Sequence, residues 1–150
     1  MNTDTNKDYE ALKLKNQLCF PLYAASREII KQYRPLLDAL DLTYTQYITM
    51  MVLWEDEEVD GRELGQKLFL DSGTLTPVLK SLEGKGLLRR SRSLQDERVL
   101  RVALTPEGRA LKERAVTVPQ EMAACVRLDQ EEARLLYGLL YKILGRYEKA

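Results

Sequence analysis

Residues Gly61 to Gly108, GRELGQKLFLDSGTLTPVLKSLEGKGLLRRSRSLQDERVLRVALTPEG, restrict what this chain can fold into more than any other stretch. A short helical pattern over Arg62–Phe69 meets a tight turn. Asp71-Ser72 then opens a second helix, Ser72–Lys85, closed by Gly86. Two basic segments follow, Leu87–Arg92 and Arg98–Leu104, on either side of a polar tip. In the second, Leu100, Val102 and Leu104 alternate with Val99, Arg101 and Ala103, the period of a strand. Helix, turn, helix and hairpin in this order predict a winged helix-turn-helix, which lays one helix in a DNA major groove with the hairpin beside it.

The flanks read as helices. Leu22, Ala25, Ile29 and Ile30 fall at helical spacing over about Asn16–Tyr33, and Pro21 places the helix start near 16–20. Pro35 is expected to end or kink that helix, with one more turn over Leu36–Leu40. Thr43-Tyr44-Thr45-Gln46 has the form of a capping box, with Leu42 and Tyr47 as its hydrophobic staple, opening a helix that runs to about Trp54. Thr105-Pro106 opens another, expected to run to about Val118, where Pro119 interrupts it. Asp129 and Glu132 make a second box. It heads a helix with a broad apolar stripe of Leu135, Leu136, Leu139, Leu140, Ile143, Leu144 and Tyr147. The polar segment Met1 to Tyr9 is expected to fray. The fold class is therefore mainly α with a small β-hairpin wing. Residues 1–40 and 106–150 form a helical dimerisation region around a DNA-binding region at 41–105, in one intertwined domain. The two apolar ends are expected to pack together and against a second subunit.

Composition narrows the chemistry. The chain has 150 residues, 45% of them hydrophobic, which suits one domain with a core. It has no apolar run long enough to cross a bilayer and no leader-like start, so a soluble cytoplasmic protein is expected. Net charge is zero, yet Lys80, Lys85, Arg89, Arg90, Arg92, Arg98 and Arg101 outnumber Glu83, Asp96 and Glu97 between residues 80 and 101. Glu55-Asp56-Glu57-Glu58 and Asp60 carry the compensating negative charge. A local basic patch can bind phosphate on a neutral protein, although the same cluster is also an ordinary solvated face. There is no histidine, which removes imidazole bases and the commonest zinc ligand, and two cysteines cannot build a cysteine-based structural zinc site. No metal, cofactor or enzymatic activity is expected.

SGTLTPVLKSLEGKGLL followed by DERVLRVALTPEG resembles the MarR family of winged-helix regulators, with the D-x-R at Asp96–Arg98 and LTPEG at Leu104–Gly108 as family marks. LKNQLCFPLYAASREIIKQYRPLLDALDLTYTQYITMMVLWE resembles its organic-hydroperoxide-sensing branch, the OhrR type. The resemblance runs from about Leu12 to Lys112. It implies a homodimeric repressor on a pseudo-palindromic operator in double-stranded DNA, with an organic hydroperoxide as effector. By the same resemblance Cys19 is the redox sensor, and Tyr33 and Tyr44 of the partner subunit approach its sulfur.

For DNA, Ser72, Thr74 and Thr76 put short hydroxyls near a helix start, where backbone N–H groups also face phosphates and base edges. Thr76 can also offer its methyl to a thymine, and Lys80 suits a phosphate. With Ser72 as cap, Pro77 falls past the first turn and costs a backbone bond. The resemblance implies that Arg98 enters the minor groove braced by Asp96; the bland alternative is an exposed salt pair worth under about 1 kcal/mol. Arg89, Arg90 and Arg92 are more generic, and each that reaches a phosphate adds about 0.9 to the salt slope of binding.

For the sensor, peroxide attack needs the thiolate, and a helix start favours an anion. Leu18, Phe20 and Leu22 surround Cys19 with apolar surface suited to an organic peroxide. Read from the residues alone, a lone cysteine is more often a small buried hydrophobe. The resemblance implies either that Cys125 is a resolving cysteine that crosses to the partner subunit or that a low-molecular-weight thiol caps the oxidised Cys19; Cys125 reads equally as a structural cysteine. Other readings stay open. A MarR-type repressor released by a small phenolic ligand would leave Cys19 structural. A structural DNA-associated protein would have no effector. A thiol peroxidase lacks the histidine, adjacent arginine and Thr-x-x-Cys pattern that would support it.

Overall fold

The computed structural model describes residues 9–145. Of the segment Met1 to Tyr9 expected to fray, residues 1–8 lie outside them, as does the stripe residue Tyr147, while Tyr9 begins a 3-10 turn. Two short 3-10 turns, Tyr9–Leu12 and Leu14–Asn16, precede α1 (Cys19–Asp38) and α2 (Tyr44–Asp56). Next come β1 (Glu58–Asp60), α3 (Gly61–Leu68), α4 (Ser72–Gly84), β2 (Leu88–Arg92) and β3 (Leu100–Leu104). The chain continues as α5 (Pro106–Ala115), α6 (Val118–Val126) and α7 (Gln130–Leu144).

The expected elements are present, with four differences. First, α1 does not stop at Pro35 but continues to Asp38. Pro35 is exposed, so water can satisfy the Lys31 carbonyl that the ring leaves without a donor, while buried Leu37 and Leu40 hold the following turn in the core. Second, Asp71 caps α4, not Ser72: its Oδ1 accepts from the Thr74 N–H at 2.7 Å. Pro77 is then the sixth helical residue, and both it and Gly73, whose carbonyl loses its donor, are exposed. Third, the helix from Pro106 stops at Ala115, and Pro119 sits in the first turn of α6, where a missing N–H costs nothing.

The fourth change is a third strand. The sheet order is β1-β3-β2, all antiparallel, with Val59 opposite Val102 and both buried. The strand β1 lies inside the acidic run, too short and too charged to show a period of its own. The acids there act as fasteners. Asp56 pairs with Lys67 of α3 at 2.5 Å, Glu57 with Arg109 of α5 at 3.1 Å and Glu58 with Arg101 of β3 at 2.5 Å.

Thr43 and Gln46 form the expected box at the head of α2, with N–H to side-chain oxygen distances of 3.1 and 3.3 Å. Tyr47, Met50 and Leu53 then recur on one face and enter the core. In α4, Leu75, Leu79 and Leu82 do the same. A single buried cluster joins these to Leu37 of α1, Leu111 and Ala115 of α5, and Val118 and Met122 of α6. The box at Asp129 and Glu132 heads α7, which buries none of its side chains; Leu135, Leu136, Tyr137, Leu139, Tyr141 and Ile143 are exposed. Among the described residues no helix is long and apolar enough to cross a membrane.

Candidate nucleic-acid interface and cysteine site

The helix-turn-helix is held by backbone chemistry. Asp60 caps α3 through the Glu63 N–H at 2.7 Å, and Phe69 ends it in the left-handed region at φ 55°. Leu70 N–H then donates to the Gly65 carbonyl at 2.9 Å. A side chain at residue 65 would place its Cβ 2.8 Å from the Leu70 carbonyl oxygen, so the turn requires glycine there. At the other end of α4, Leu87 N–H reaches the Leu82 carbonyl and Gly86 N–H the Glu83 carbonyl, with Gly86 at φ 75°. This is the Schellman arrangement expected of a glycine after a helix.

Burying one face of α4 leaves the other open. Ser72, Thr74, Thr76 and Lys80 are all exposed, and a groove between the helix-turn-helix and the wing is lined by Arg62, Ser72, Thr76, Arg92 and Arg98. The Thr76 hydroxyl donates to the Ser72 carbonyl at 2.7 Å, which orients its methyl. Arg92 is exposed on β2. Arg90 is half-buried: its backbone N–H donates to Glu83 Oε2 at 2.8 Å and its guanidinium to Oε1 at 3.1 Å. That pair ties the end of α4 to the wing and competes with the phosphate role drawn for Arg90 from sequence. At the wing tip Asp96 accepts from the Arg98 backbone N–H at 3.0 Å and from its guanidinium at 3.1 Å. The Arg98 side chain is nonetheless 91% exposed.

These bonds hold three carboxyls below the usual range: Asp71 through the Thr74 N–H, Glu83 through the Arg90 backbone N–H and then its side chain, Asp96 through the Arg98 side chain and backbone. A depressed folded value contributes stability that is whole above the unfolded value and is lost as pH falls through the folded one. With no histidine to titrate between pH 5 and 8, thermal unfolding should give a level Tm from pH 7 to about pH 5 and a loss only below about pH 4. A Tm already falling between pH 7 and about pH 5.5 contradicts this assignment.

Cys19 is the first residue of α1 and is exposed, as are Leu18, Phe20 and Leu22 around it. The N-cap residue of α1, Leu18, makes no side-chain cap. Tyr33, near the other end of α1, and Tyr44, the first residue of α2, meet with ring centres 5.0 Å apart. Tyr47 joins them at 5.9 and 6.3 Å and leans on Trp54. Burial pushes the phenols of Tyr33, Tyr44 and Tyr47 up, and for Tyr33 and Tyr47 so do neighbouring tyrosines. All three therefore keep their protons and can donate a hydrogen bond at neutral pH. The fold brings the two tyrosines together but not the cysteine. Cys19 and Tyr33 lie fourteen positions apart on the same helix, about 21 Å along the axis at 1.5 Å per residue. Cys125 is exposed in α6, and its thiol donates to the Glu121 carbonyl at 3.4 Å.

Sequence reasoning missed partners that meet only when elements pack: the Glu83–Arg90 tie, the strand β1, and the bonds that Gln46 makes beyond its own helix. Gln46 was visible as half of a capping box, but its partners Ser81 and Lys85 lie in α4 and just beyond its end, and no local pattern announces them.

The family model for the transcriptional regulator SarA/Rot matches residues 31–115. The organic hydroperoxide resistance transcriptional regulator of Bacillus subtilis (strain 168) is 47% identical over 136 residues, covering 91% of this chain and 92% of that one. The structure of reduced AbfR bound to DNA (AbfR is from Staphylococcus epidermidis) is 34% identical, has a TM-score of 0.75, and matches over 92% of this chain and 96% of that one. AbfR with its disulfide formed is 36% identical at a TM-score of 0.63, over 92% and 98% of the two chains. A cysteine-to-serine mutant of MarR from E. coli in complex with operator DNA is 25% identical at a TM-score of 0.79, over 91% and 99%.

Proposed function

The chain belongs to the MarR/SarA family of winged-helix transcriptional regulators, and on that basis we propose that it is a homodimeric DNA-binding repressor released from its operator by organic hydroperoxides through Cys19. In this reading α4 enters the major groove, offering Ser72, Thr74 and Thr76 to base edges and phosphates, while Lys80 and Arg92 neutralise phosphates. Arg98, braced by Asp96, reaches the adjacent minor groove.

The observation that carries the sensing half is the separation within α1. An exposed thiol lies at one end, in an uncovered apolar surround, and a pair of protonated tyrosines lies about 21 Å away. The tyrosines cannot serve the cysteine of their own chain, but a two-fold partner that covers the exposed apolar residues can bring them to it. The partner's two phenolic O–H groups can then donate to the sulfur, and the form that reacts with a peroxide is the thiolate. Its lone pair attacks the outer peroxide oxygen, the O–O bond breaks, and the alkoxide leaves and takes a proton as the alcohol, with Cys19 left as sulfenic acid. A second thiol, from Cys125 of the partner or a small cellular thiol, displaces hydroxide as water and forms a disulfide. Occurrence of AbfR both reduced on DNA and with a disulfide formed supports such a cycle.

The test is release: stoichiometric cumene hydroperoxide should free reduced protein from a duplex that it selects out of a random-sequence pool. Release that requires a phenolic ligand and leaves Cys19 unmodified overturns the reading. The DNA half has its own prediction. Arg98→Ala should weaken binding to that duplex by about 1–3 kcal/mol with Tm essentially unchanged, because the ion pair it breaks is exposed. Gel-shift titration and thermal unfolding check the pair of outcomes; unaltered affinity removes the wing arginine from the interface.

A further inference from the structure

The first turn of α2 carries two different contacts on its two sides. Tyr44 meets Tyr33 in the aromatic cluster. Two residues on, Gln46 is only 6% exposed and faces α4. Its side-chain carbonyl accepts from the Thr43 N–H at 3.1 Å and from Lys85 Nζ at 3.2 Å, and its amide donates to Ser81 Oγ at 2.9 Å. Lys85 also donates to the Asp41 carbonyl and lies 3.5 Å from the Asp41 carboxylate. One amide therefore caps the helix that begins at the tyrosine and grips the C-terminal end of the helix that faces DNA.

We propose that Gln46 is the positioning residue that couples the Tyr33–Tyr44 cluster to α4. The proposal rests on the sensor reading above and says where its signal travels. Both polar atoms of the Gln46 side chain are engaged, in a buried site, so the first turn of α2 cannot slide without either moving Ser81 and Lys85 or leaving a buried amide unpaired. A displacement of Tyr44 on oxidation of the partner's cysteine thereby shifts the end of α4. The same two bonds hold α4 in place while the sulfur is reduced.

The experiment compares wild type, Gln46→Ala, Ser81→Ala and Gln46→Glu. Each is measured reduced and after cumene hydroperoxide, on the duplex selected by the wild type, and Cys19 thiol loss is followed in parallel. For wild type an affinity loss of about 100-fold is expected, within the usual range of allosteric coupling. In Gln46→Ala and Ser81→Ala the loss should shrink below about tenfold while Cys19 oxidises at the wild-type rate. Gln46→Glu keeps acceptors for Thr43, Lys85 and the Ser81 hydroxyl and should restore the full response. Ser81 is exposed, so its variant decides the matter even if Gln46→Ala fails to fold. If wild type and both alanine variants are released alike, the coupling role is overturned alone. If wild type itself stays on DNA after oxidation, the sensor reading falls and the coupling falls with it.

Discussion

Cys19→Ser should remain on DNA at peroxide concentrations that release the wild type. The expected contrast is an affinity loss of about 100-fold for wild type, or about 2.7 kcal/mol, against less than about twofold for the variant. The substitution exchanges sulfur for oxygen at an exposed position in the first turn of α1, so packing and Tm should hardly change. A serine hydroxyl offers the tyrosines a similar hydrogen-bond partner but is no nucleophile toward a peroxide at neutral pH. Reduced variant and reduced wild type should therefore bind the duplex alike, and fluorescence anisotropy with and without cumene hydroperoxide reads both states. Equal release of the two proteins would place the effector site elsewhere, with the groove between the helix-turn-helix and the wing as the alternative for a small ligand.

Gly108→Ala should cost about 3 kcal/mol or more, at the upper end for an overpacked site. A Cβ at residue 108 would lie 2.1 Å from the Leu87 carbonyl oxygen and 2.8 Å from Leu104 Cδ1. The obstacle is backbone that cannot retreat. The Leu87 N–H closes α4 on Leu82, and the Leu87 carbonyl accepts from the Thr105 N–H at 3.2 Å. Buried Thr105 accepts from the Gly108 N–H at 3.0 Å and donates to the Gly86 carbonyl at 2.6 Å, and the Trp54 indole donates to the Gly108 carbonyl at 2.8 Å. The LTPEG stretch is thus a clasp that joins the end of α4, the start of α5 and the end of α2. For a chain of this length the cost corresponds to a fall in Tm of about 6–12 °C. Gly84→Ala, which meets nothing within 4 Å inside α4, is the control and should be neutral or stabilising by up to about 1 kcal/mol. A loss under about 1 kcal/mol in Gly108→Ala would mean that α5 can back away and that the clasp is loose.

Much of this was legible in sequence because it is local. Thr43 with Gln46, Asp129 with Glu132, Thr105 with Pro106, and Gly86 after α4 are signals complete within a few residues, and each marks its helix end in the structure. The alternation of Leu100, Val102 and Leu104 likewise marks β3. Local preference says least where a neighbour outvotes it. Past Pro35, expected to end or kink α1 with one more turn over Leu36–Leu40, the helix runs on to Asp38 because Leu37 and Leu40 are buried beyond it. The acidic segment Glu58–Asp60 is a strand because β3 supplies its hydrogen bonds and Arg101 its counter-charge.

Apart from β1 and the separate helix α6, the order of helices and strands, the ends of most helices, and the apolar residues that α4 turns inward follow from the chain's own residues, since capping, glycine conformation and 3.6-residue periodicity act over short spans. The same residues single out Cys19, Tyr33 and Tyr44 as types able to form a thiol site with phenolic donors. Packing alone settles that the two tyrosines touch while the cysteine stands a helix length away, that Arg90 turns toward Glu83, and that Gln46 reaches α4. Some of those relations join residues far apart along the chain and others residues only seven or eleven apart, but all depend on how elements meet in space, which capping and periodicity do not specify.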